Sequence, residues 1–102
     1  METVLNDAMT TFQEAIDRRD PEAICIAARL LRFCSVRAQN AYLDVWGADR
    51  SEEVRAAFAR ALRVLREIMT DAQSPERALA EYAHGRVTKR YQALFPDEPL
   101  PE

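Results

Sequence analysis

Between Val54 and Ala72 the apolar residues Val54, Phe58, Ala61, Leu65, Ile68 and Ala72 step by four, three, four, three and four positions. That spacing lines up one face of an α-helix and favours packing at a shallow crossing angle, whereas a strand would alternate every two residues. The period recurs along the chain. Leu5, Ala8, Met9, Phe12, Ala15 and Ile16 predict a first helix over about Thr3 to Arg18. Ile24, Ala27, Leu31, Cys34, Ala38, Ala41 and Val45 form the seam of a second helix, with Ile26, Leu30 and Phe33 as another apolar row beside it. Leu79, Tyr82, Ala83, Val87, Leu94 and Phe95 give a fourth helix its stripe, and Pro96 ends it.

The punctuation agrees with this division. Asp20-Pro21-Glu22 and Ser74-Pro75-Glu76 each place a capping side chain, a proline suited to a first helical position and an acid at the positive end of a helix. Gly47 reads as the left-handed stop of the second helix. Asp49 or Ser51 then caps the third, with Glu52 completing a capping box on Asp49. The expected fold is all-α, an antiparallel up-down bundle of about four helices formed by residues 1–96, followed by a flexible acidic, proline-bearing tail over 97–102.

The expected lengths are unequal. A second helix from Pro21 to Trp46 is about 39 Å long at 1.5 Å per residue and outruns the first by roughly 15 Å. Its far end carries Tyr42, Leu43, Val45 and Trp46. Amphipathic aromatics of this kind are enriched at contact surfaces, so the overhang is covered either by the other two helices or by outside company.

Charge narrows the choice of company. Seventeen acids against fourteen bases leave a net charge of -3, which gives no long-range steering toward nucleic acid, and no nucleic-acid partner is expected. No run approaches the roughly 18 to 20 apolar residues of a membrane span, and no secretory signal region follows Met1, so a cytoplasmic location is expected. Cys25 and Cys34 fall on opposite faces of one helix, about 13 Å apart along it, and cannot bridge each other there.

The residues offer little to a catalyst. Glu81 and His84 have the Glu-x-x-His spacing of di-iron bundles, but His84 is the only histidine. A metal site would have to be shared across a two-fold dimer, with Glu14 or Glu67 added; otherwise both residues face solvent. Arg60, Arg63 and Arg66 step along the third helix among Glu52, Glu53, Glu67 and Asp71, as on a solvated, charge-paired face. The stretch from Phe12 to Asp20 resembles the entry of the all-helical chorismate mutases, which would imply rearrangement of a dianion. Where that family holds the substrate carboxylates with arginines, this chain has Gln13 and Leu30, and Pro21 interrupts the helix. No enzymatic activity, metal or cofactor is expected.

The segment Ile68 to Ala78, continuing through Tyr82 to Tyr91, resembles phasins, the coat proteins of polyhydroxyalkanoate granules. Arg19 to Ala23, with Gln39, Tyr42 and Trp46 downstream, repeats the likeness. The resemblance implies a non-catalytic scaffold whose apolar stripes rest on a polymer surface while Arg and Glu face water. The alternative is a cytoplasmic adaptor, chaperone or regulator that binds one protein partner through a helix face. Self-association as a homodimer fits either reading. The expected binding surface comprises Tyr42, Val45, Trp46, Phe58, Leu65, Tyr82 and Tyr91. A continuous exposed stripe along several helices favours the coat, and a single patch on a closed bundle favours the adaptor.

Overall fold

The computed structural model describes the backbone of residues 2–41, 47–95 and 99–100, and the side chains of residues 6–31, 52–95 and 99–100. Four helices account for it: α1 (Glu2–Asp17), α2 (Pro21–Ala41), α3 (Gly47–Thr70) and α4 (Arg77–Leu94). The fold is an all-α helical bundle, as the apolar periodicity predicts. Among the described residues the principal packing closes a ring: α1 meets α2, α2 meets α4, α4 meets α3, and α3 returns to α1. The chain extends 45 × 26 × 19 Å.

The first hairpin is fixed by its turn. Asp20 Oδ1 accepts the backbone N–H groups of Glu22 at 3.1 Å and Ala23 at 3.3 Å, and Pro21 occupies the first position of α2. Upstream, Arg19 N–H donates to the carbonyl of Ile16 and Asp20 N–H to that of Ala15, the paired bonds of a Schellman ending. Arg19 sits at the left-handed position with φ 54°, where glycine is the usual occupant. Its guanidinium reaches Glu67 at 3.0 Å across to α3; with both side chains about half exposed, this pair adds little stability.

The second hairpin turns through Asp71 to Glu76. Asp71 Oδ1 accepts the N–H of Gln73, and Ser74 Oγ accepts that of Glu76. Ser74 thus closes a turn and does not cap the helix: α4 begins at Arg77, its N-cap position is Glu76 with no side-chain cap bond, and Pro75 lies in the turn, which corrects the expected cap-proline start. Gly47 departs from expectation: it opens α3 instead of stopping α2, so Asp49 and Ser51 stand inside the helix and not before it. Glu52 turns its carboxylate to Arg55, 3.0 Å away, and not back toward a cap. Ala72, the last step of the heptad series, lies exposed beyond the end of α3.

Three aromatic rings from three helices occupy the middle of the core. Phe12 of α1 meets Phe58 of α3 with ring centroids 5.0 Å apart, and Phe58 meets Tyr91 of α4 at 5.7 Å. Both contacts are tilted, as the ring quadrupole prefers. Tyr91 in turn contacts Phe95 at 5.1 Å, and the Arg55 guanidinium lies 5.8 Å from the Phe95 ring centre. Around this row are packed Met9, Ile16, Ile24, Leu31, Leu62 and Leu65, all buried. Arg60 clamps the α1–α3 side, donating to Gln13 Oε1 at 2.6 Å and to Asp17 at 2.7 Å.

Two stability outcomes follow. Phe58→Ala removes the central ring, and denaturant unfolding should show a loss of about 3–5 kcal/mol. Asp20→Ala leaves two N–H groups of α2 without their acceptor and should cost about 1 kcal/mol in the same assay.

Candidate groove between α2 and α4

The seam between α2 and α4 is built from small residues. Pro21 and Cys25 on α2 and Ala83 on α4 line the space between the two helices, and side chains of this size allow close approach of two helix backbones. Larger residues stand on either side of that seam. On α2 they are Glu22, Ile26 and Arg29, spaced i, i+4, i+7; on α4 they are Leu79, Tyr82 and Arg86, spaced i, i+3, i+7. Between the two rows runs a groove of about 380 Å³, with Pro21, Cys25 and Ala83 also contributing to its lining.

This groove gathers most of the exposed large apolar side chains among the described residues. Ile26 is 54% exposed, Leu79 42% and Tyr82 55%, and Leu30 continues the α2 row at 46%. Ile26 and Leu30 belong to the second apolar row of α2, and no described residue covers them fully.

Of the predicted contact residues that are described, Tyr82 alone falls on this surface. Phe58 and Leu65 are wholly buried and Tyr91 is 2% exposed, so these three correct the expectation: they are core side chains. The reason is geometric. Phe58 and Leu65 lie on the α3 seam that meets α1 and α4, and Tyr91 extends the buried face Ala80, Ala83, Val87, Tyr91, Leu94 of α4. Leu79 was expected in that stripe and instead stands outside it on the groove rim. Tyr42, Val45 and Trp46 lie outside the described residues.

Sequence reasoning missed Ile26, Leu79 and Arg86 as groove residues. The available signal was the redundancy of apolar rows on α2 and α4, each of which carries more apolar positions than one buried face uses.

Glu81 is exposed, but His84 is not an ordinary surface histidine. It is half-buried, with Nε2 shielded from solvent and without a hydrogen-bond partner, and Thr88 Oγ1 one turn on is in the same condition. Burial, assisted by the positive charge of Arg66 on α3, holds the imidazole below its usual pKa of 6.5. Among the described residues no three of His, Cys, Asp and Glu are grouped so as to hold a metal ion.

Because folding disfavours the protonated form of His84, the unfolded chain binds more protons just below pH 6.5. Stability is therefore full above that value and declines as pH falls through it toward the lower folded pKa. Urea midpoints measured between pH 7.5 and 5.5 should fall in the wild type and fall less in His84→Gln.

No helix among the described residues is long and apolar enough to cross a membrane. No protein-family model, curated protein or solved structure matches the chain.

Proposed function

We propose that this protein is a non-catalytic binding module that receives a helix of one protein partner in the groove between α2 and α4. The observation that carries the reading is the concentration of Ile26, Leu79 and Tyr82, three of the exposed large apolar side chains among the described residues, around one concave surface. Two helices offering parallel apolar rows form the kind of receptor that an amphipathic helix fills with residues at i, i+3 or i+4, and i+7. Tyr82 suits such a surface, with a rigid apolar ring and a hydroxyl that remains able to hydrogen-bond.

A phasin-like coat is the competing reading. It calls for apolar stripes lying against a polymer along several helices at once, and the stripes of α1 and α3 face inward around Phe12 and Phe58. Among the described residues, apolar stripes that face inward and a patch confined to the α2–α4 groove support the adaptor reading over the coat. Homodimerisation through the same groove is a further form of binding, and its signature is a concentration-dependent mass.

Tyr82→Glu and Ile26→Asp should each abolish partner binding in a pull-down with the partner, while thermal stability changes little, as expected for exposed positions. Retained binding by both folded variants would remove the groove from the function.

A further inference from the structure

Resting on the reading of the α2–α4 groove as a receptor, we infer that its ligand is an amphipathic helix whose apolar turns run into an acidic end. The rim of the groove changes character along its length. Leu79 and Tyr82 line its apolar part, and the same face of α4 then continues through Arg86 into a second hollow lined by Arg86, Lys89, Arg90 and Ala93. Arg86 belongs to both hollows, so the apolar groove and the basic surface are continuous. Arg29 on α2 adds a further positive charge to the groove lining.

The local charge is opposite to that of the whole chain. The sequence carries a net charge of -3, yet α4 contains Arg77, Arg86, Lys89 and Arg90 against the single acid Glu81. Glu22 is the only carboxylate lining the groove. Arg29, Arg86 and Lys89 are all exposed. Cations beside an apolar surface select acidic segments and reject basic ones through like-charge repulsion.

The spacing sets the length. Leu79 to Arg86 and Arg86 to Ala93 each span seven residues of α4, about 10 Å or two turns. The ligand is thus a helix of about four turns. Two of them carry apolar anchors at i, i+3 or i+4, and the other two carry Asp or Glu.

A displayed library of helical peptides, selected on the full chain and counter-selected on Tyr82→Glu, tests this. The expected result is a set of peptides with apolar pairs followed within one or two turns by acids. Their binding should weaken about tenfold or more on Arg86→Glu, with circular dichroism confirming an intact fold, and should recover when their acids are changed to Lys. Tyr82-dependent peptides without an acidic preference, or indifferent to Arg86→Glu and Arg29→Glu, would overturn the inference while leaving the groove reading in place. A library yielding no Tyr82-dependent peptide would overturn both. Self-association abolished by Tyr82→Glu would replace the acidic helix with a second copy of this chain.

Discussion

The bundle depends on the contact of Phe12, Phe58 and Tyr91. These rings come from three helices and two hairpins, so their packing joins what the turns alone cannot. Asp20 fixes where α2 begins, but a cap acts only on its own turn. The connection between the hairpins becomes cooperative because Phe58 touches a ring on either side, from α1 and from α4. Each ring added to this core also excludes water from the alanine and leucine side chains around it.

One consequence of that central packing is a division of α4 into two faces. Tyr91 faces inward and, by helical geometry, takes Ala80, Ala83, Val87 and Leu94 with it. Leu79 and Tyr82 are thereby rotated to the edge beside α2. The small side chains at the seam, Cys25 and Ala83, let α2 and α4 come together, and the bulkier residues beyond them rise as walls. The groove is thus an outcome of core formation. A helix cannot bury Tyr91 in the centre and also turn Tyr82 inward.

Much of this architecture is legible in the chain. The alternating steps of three and four through Val54, Phe58, Ala61, Leu65 and Ile68 identify the buried face of α3, and Ala8, Met9, Phe12, Ala15 and Ile16 do the same for α1. Asp20-Pro21-Glu22 marks a helix entry to the residue. The reading fails where hydrophobic size competes with periodicity. Leu79 looks more like core than Ala80, yet Ala80, Ala83, Val87, Tyr91 and Leu94 form the regular seam. Likewise, Phe58, Leu65 and Tyr91 resemble contact residues by type, and only their tertiary neighbours reveal them as core. Gly47 shows the same limit in the backbone: a glycine commonly ends a helix, but here it begins one. For the groove, the one signal in the chain is the surplus of apolar positions on α2 and α4 beyond what one buried face uses.

In the described part of the bundle α1 and α3 seal the core, while α2 and α4 leave an apolar groove open. Solvent paramagnetic relaxation of the side-chain methyl signals, using an inert soluble gadolinium chelate, tests it most directly. Strong broadening is expected for Ile26, Leu30 and Leu79, and protection for Leu65, Val87 and Ile16. Protection of Ile26 and Leu79, or broadening of Leu65, would contradict it.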